Sequence, residues 1–119
     1  MYRLPDDENL SFLRGLKAEL VCFAAYQVNL HFQGDVSITI FGSFRHIASE
    51  GSIPEMDGSF PLQSSELMRL LEEEINSVQT KADATLILGF SNGDQLVIEG
   101  DNGPYESYHV KNGEKVVIV

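Results

Sequence analysis

The sequence predicts a β-rich α+β domain. About seven or eight mostly antiparallel strands should form a sandwich or partly open barrel, with one or two short helices packed on it. Three observations predict this. Residues 84–100, ATLILGFSNGDQLVIEG, place Leu86, Leu88 and Phe90 on one face, turn at Ser91-Asn92-Gly93-Asp94, and alternate again through Leu96 and Ile98. Alternation with period two marks a half-buried strand, because successive side chains point to opposite faces, and Asn-Gly between two such runs is a strong hairpin signal when both residues can take positive φ. Residues 26–42, YQVNLHFQGDVSITIFG, repeat the pattern, with Val28, Leu30 and Phe32 before Gln33-Gly34-Asp35 and Val36, Ile38 and Ile40 after it. Finally, the two stretches align without a gap at a shift of 58 residues: Phe32 meets Phe90 and Gly42 meets Gly100, while upstream Phe12-Leu13 meets Leu70-Leu71 and Leu20 meets Val78. The alignment suggests an internal αββ duplication within a single domain, residues 1–119, with units at about 9–44 and 64–119 joined by a long loop at about 45–62.

Taken in order, residues 1–8 form a frayed lead-in with Pro5 and the acidic run Asp6-Asp7-Glu8. Asn9 is placed to cap a short helix through Phe12, Leu13 and Arg14, which Gly15 ends. Residues 16–23 read as a strand with Leu20 and Cys22 on one face, and the first hairpin follows to about Phe44. Its second face carries Gln27, Asn29, His31, Ser37 and Thr39, so that face should meet water. The matching face of the later hairpin is apolar, with Ile87, Gly89 and Val97, and needs a cover from the chain itself or from a second copy. Between the hairpins, residues 45–62 lose periodicity and are punctuated by Gly51, Pro54, Gly58 and Pro61, the mark of a loop. Ser64 and Ser65 then open the helix of the second unit, with Leu67, Met68, Leu71 and Ile75 at helical spacing and Glu72-Glu73-Glu74 opposing the dipole where it stops. A strand at 76–80 leads into the second hairpin. A third hairpin closes the chain, with alternation over 105–110, a turn at Lys111-Asn112-Gly113-Glu114 and an apolar strand over 115–119.

Length and composition bound the function. A chain of 119 residues builds one modest core, and 43% apolar with 22% charged residues is ordinary for a globular domain. No apolar run approaches the roughly 18 residues of a membrane-spanning helix, and the acidic start lacks the basic and apolar segments of a signal peptide. One cysteine, Cys22, makes no intramolecular disulfide, which points to a reducing cytoplasm. Eight scattered Lys and Arg residues argue against nucleic acid as a partner. A net charge of −10 serves solubility and would also steer a basic protein partner onto the chain.

The residues supply no phosphate-binding glycine pattern, zinc-spaced Cys/His set or nucleophile elbow, so no catalytic residue, metal or cofactor is assigned. His31, His46 and His109 are far apart in the chain. Ser107 beside Glu106 and His109 invites a triad, yet on a strand Glu106 points away from the other two. Tyr105, Glu106, Tyr108 and His109 form the most distinctive polar text and are the candidate binding residues, together with Arg45 and His46 at the entrance to the loop. Ile87 and Val97 are the candidate interface.

The run Leu88, Phe90, Asn92-Gly93 and Leu96, followed by Tyr105-Glu106-Ser107-Tyr108, resembles a family of small bacterial proteins of unknown function. The resemblance covers most of the chain from about Leu10 onward, and it implies a bacterial source and a β-rich fold, with no activity attached. The expected function is therefore a non-enzymatic binding or protein-interaction module that associates with itself. The runner-up is an acidic immunity-type inhibitor of a basic toxin. A small hydrolase or metal-dependent enzyme built on Glu106, Ser107 and His109 ranks third.

Overall fold

The computed structural model describes residues 10–48, 67–100 and 106–119, together with the backbone of residues 56–58. Among these are ten strands: β1 (Ala18–Phe23), β2 (Val28–Phe32), β3 (Val36–Ile40), β4 (Phe44–Ile47), β5 (Met56–Gly58), β6 (Ile75–Thr80), β7 (Leu86–Phe90), β8 (Gln95–Ile98), β9 (Tyr108–Asn112) and β10 (Lys115–Ile118). They form two antiparallel five-stranded sheets, ordered β1-β2-β3-β9-β10 and β5-β4-β8-β7-β6, and not a closed barrel. β2, β3, β4, β7 and the start of β9 alternate buried with more exposed residues, as the sequence pattern requires. Val28, Leu30, Phe32, Val36, Ile38, Ile40 and Val110 of the first sheet face Leu86, Leu88, Phe90, Leu96 and Ile98 of the second, all within one buried core. Burying a side chain of this size contributes about 1.5–3 kcal/mol, so these facing rows are the main source of stability.

The two units are related by an internal pseudo-two-fold axis that can be read from the backbone hydrogen bonds. Gly15 N donates to Ile75 O at 2.8 Å, and 57 positions on Glu72 N donates to Ala18 O at 2.7 Å. Ile75 N donates to Leu16 O at 2.9 Å, and its counterpart Ala18 N donates to Glu73 O at 3.1 Å. The axis passes between Lys17 and Glu74, which form an antiparallel bridge joining the edges of the two sheets. Gly15 (φ +93°) and Glu72 (φ +67°) occupy the same left-handed corner in the two units. Upstream of the hairpins the correspondence is therefore 57 residues rather than 58: Leu13 answers Leu70 and Val21 answers Val78. The connection from β6 to β7 is one residue longer than that from β1 to β2, and this shifts the hairpins to the 58-residue spacing.

The first unit extends past the expected residue 44 to include β4 and β5, and the units do not stay apart, because each sends its last two strands into the other's sheet. β4 pairs with β8, placing Phe44 opposite Ile98 and His46 opposite Leu96. β9 pairs with β3 in the same register, placing Tyr108 opposite Ile40 and Val110 opposite Ile38. β5 and β10 then add to β4 and β9.

The expected helices are not α-helices. Ser11–Leu13 and Leu67–Leu70 are short 3-10 turns, so the regular structure of the described residues is nearly all β, and α+β overstates the helix. Leu67 and Leu70, three apart, point into the core as a 3-10 turn allows, while Met68 and Leu71 are exposed. The left-handed Glu72 then turns the chain into β6, ending what looked like a longer helical stripe. The first turn has Leu10 at its N-cap with no side-chain cap bond; Asn9, Ser64 and Ser65, read as caps, lie outside the described residues. The strand count exceeds the expected seven or eight because β4 (from its second residue on) and β5 lie in the stretch 45–62, read as loop. Both are short: β4 pairs with β8 some fifty positions on, and the three residues of β5 pair with β4, so neither leaves much local pattern. At the Ser91–Asp94 turn only Gly93 takes positive φ (+90°); Gly93 N bonds to Phe90 O and Phe90 N to Asp94 O, a type I turn closed by a glycine bulge. Among the described residues no helix is long and apolar enough to cross a membrane.

Candidate functional site

One polar cluster lies inside the apolar core. Asp94 follows the β7–β8 turn, where its N–H donates to Asn92 Oδ1 at 2.9 Å, and its side chain points inward, fully buried. Asp94 Oδ2 meets His46 Nε2 at 2.8 Å and Arg69 Nε at 3.1 Å, while Oδ1 meets Arg69 Nη2 at 3.1 Å. Facing a carboxylate, His46 Nε2 carries the proton and donates it. His46 is 3% exposed, and the Arg69 side chain reaches outward with 21% of its surface accessible. Asn92 Nδ2 donates to Arg69 O at 3.2 Å, tying the turn that carries the carboxylate to the 3-10 turn that carries the guanidinium. The arrangement neutralises a buried carboxylate with a guanidinium on two oxygens and leaves the imidazole with an ordered hydrogen bond.

The pseudo-two-fold axis shows what this site would be without charge. The counterpart of Asp94 is Val36, that of His46 is Val110, and that of Arg69 is Phe12, which packs on the core. One half of the molecule thus fills with two valines and a phenylalanine the space that the other fills with an ionic triad. The architecture has no inherent need for the charges.

A second cluster lies on the outer face of the first sheet. His109 Nε2 donates to Glu106 Oε2 at 2.7 Å, and the imidazole stands edge-on to Phe41 with ring centroids 4.8 Å apart. The rows across this face are Leu20, His31, Ser37, Lys111, Val116 and Cys22, Asn29, Thr39, His109, Ile118. Within the second row Thr39 Oγ1 donates to Asn29 Oδ1.

The candidate binding residues separate. Glu106 and His109 meet as described. Tyr108, on the inward face of β9, is fully buried, and its hydroxyl donates to Ala84 O at 2.7 Å. Burial pushes the phenol well above the usual tyrosine range, and the Asp83 carboxylate adds to the shift. Tyr108 is thereby a core residue and not a surface ligand. Tyr105 lies outside the described residues. Arg45 and His46 occupy opposite faces of β4: His46 points into the core, and Arg45 points outward between Val97 and Asp57. Ser107, the would-be nucleophile, is buried and donates to Gly100 O at 2.9 Å, so it does not join Glu106 and His109 in a relay. Of the candidate interface, Val97 is only 6% exposed within the single chain, which leaves half-buried Ile87 accessible on that face. Among the described residues, no three His, Cys, Asp or Glu stand together as metal ligands.

Asp94 and Arg69 escaped the sequence reading. In the sequence Asp94 falls in the turn, and Arg69 stands outside the apolar stripe expected of the helix. The usable signal lay in the repeat, where an inward valine at 36 answers an aspartate at 94. The class defined by this geometry is a pseudo-symmetric two-sheet β protein with one ionic cluster in its core. Comparison with protein-family models, curated proteins and solved structures finds no match.

Proposed function

We propose that this protein is a non-enzymatic interaction module that associates with a second copy of itself through the outer face of the first sheet. The observation that carries this reading is the composition of that face. Leu20, Val116 and Ile118 are 49%, 48% and 41% exposed at its two edges, and its two central rows hold no acidic residue although the chain carries a net charge of −10. Two such chains repel one another over most of their surfaces, and a face whose central rows carry no carboxylate, with Glu106 at its margin bonded to His109, is where they can approach. Five strands about 4.8 Å apart and about 17 Å long give a flat footprint of about 400 Å². That suits a weak, concentration-dependent dimer rather than an obligate one. Lone, half-buried Cys22 on the same face fits a reducing cytoplasm.

Light scattering across a concentration series tests the proposal. Dimer should grow with concentration and with salt, because salt screens the repulsion between like-charged copies, and Val116→Lys should abolish it. A strictly monomeric profile at high concentration rejects the reading. The net charge of −10 favours a second reading, an acidic inhibitor of a basic protein. Its complex would weaken with salt, the opposite dependence.

A further inference from the structure

We propose that the buried His46–Asp94 contact assigns each crossing hairpin to the opposite sheet, and so selects this topology over one in which each unit folds on itself. The competing arrangement is close at hand. Only Phe41, Gly42 and Ser43 separate β3 from β4, so β4 could close a local hairpin on β3 where β9 now lies, and β9 could pair with β8 where β4 now lies. The register would be the same in either case, since Phe44 stands opposite Ile98 as Tyr108 stands opposite Ile40. Loop closure favours the local hairpin, and apolar packing scarcely separates the two: the inner rows exchange Phe for Tyr and Leu96 for Ile38.

Buried polar groups do separate them. In the observed topology His46 meets Asp94 at 2.8 Å. In the local topology His46 would lie against Ile38 and Val36 beneath Phe12, with no carboxylate, while Asp94 would face Val110. An imidazole buried without its partner loses water and receives nothing in return, whereas the apolar counterparts tolerate either sheet. The Tyr108 hydroxyl, held by Ala84 O, adds a preference of the same sign. A single buried polar pair that fixes partner choice between near-equivalent apolar surfaces is the best-attested role of such groups.

Thiol reporters in the full chain test this. In a Cys22→Ser background, Ser37→Cys, Ile47→Cys and Gln95→Cys place three thiols on outward positions. Residue 47 stands opposite 95 in the observed pairing and would stand opposite 37 in the local one. After reductive refolding and mild oxidation, peptide mapping of the monomer should find the 47–95 bridge. Adding His46→Val, Asp94→Val, Arg69→Phe and Tyr108→Phe gives each position the residue its counterpart already carries. The 37–47 bridge should then rise about tenfold or more. In a second variant, Phe12→Arg, Val36→Asp, Arg69→Phe and Asp94→Val move the carboxylate and guanidinium to the first unit, and 37–47 should become the main bridge. The 47–95 bridge alone in both variants overturns the proposal. So does a symmetrised chain that fails to fold by circular dichroism, since it would show that the apolar set does not serve both halves.

Discussion

Asp94 occupies a position whose counterpart, Val36, is apolar, and its worth is set by its partners rather than by its own chemistry. With Arg69 and His46 in place the carboxylate is neutralised and hydrogen-bonded. Removing one partner leaves an uncompensated buried group, so Arg69→Ala or His46→Ala should each cost about 3–5 kcal/mol or somewhat less in urea unfolding. Glu72 presents the reverse case. It holds φ +67° where the other unit uses Gly15, so Glu72→Gly should raise stability by up to about 1 kcal/mol, while Gly15→Ala should lower it by a similar amount. Tyr108 carries a pH prediction. Its phenol is raised from the ordinary 10.0, so the neutral form is the one the fold accommodates. The stability it contributes is full below pH 10 and is lost as pH rises further through the folded-state value. Alkaline unfolding followed by circular dichroism should shift upward, with a shallower pH slope, in Tyr108→Phe, at a cost of about 1 kcal/mol at neutral pH for the lost bond to Ala84 O.

Among the elements, the hairpins were readable because each is closed by a turn whose residues demand it. Gly113 at φ +62° between Asn112 and Lys115 does so for the last pair. Gly100 shows a constraint that no turn rule reveals. A Cβ there would run into the backbone at Asp83 and Ala84, so Gly100→Ala should force the end of the second hairpin apart and lower the unfolding midpoint markedly. The 3-10 turns were misread as helices because apolar residues at i and i+3 satisfy both geometries, and only the left-handed residue that follows decides how long the turn runs. β4 and β5 went unread for another reason. Four residues reading Phe-Arg-His-Ile do alternate, but their pairing partner lies some fifty positions away, and nothing local announces it.

For the whole molecule, the exchange of hairpins means that neither unit owns a complete sheet. Removing strands β9 and β10 would strip the first sheet of two of its five strands, so the units should not unfold separately. A single urea transition, coincident by far-ultraviolet circular dichroism and tyrosine fluorescence, is the expected result; two separated transitions would contradict the exchanged topology. The same exchange builds the ionic site, since His46 comes from the first unit and Asp94 and Arg69 from the second. The proposed self-association also belongs to this scale, because the face with two acid-free central rows combines β1, β2 and β3 with β9 and β10.

By itself the chain determined the strand alternation, the three hairpins with their turns, the repeat and the acid excess, because each is written in residues near one another and in side chains that choose a face by burial. Glu106 and His109 were expected on opposite faces of a strand, yet they meet at 2.7 Å, because β9 begins only at Tyr108 and Glu106 is not held to the strand's alternation. Only the tertiary structure decided which sheet each strand joins, that Tyr108 turns inward, and that His46 meets Asp94 and Arg69. Those outcomes depend on which of two nearly equivalent apolar surfaces a strand meets, and the difference rests on a few buried polar atoms whose partners are remote in sequence.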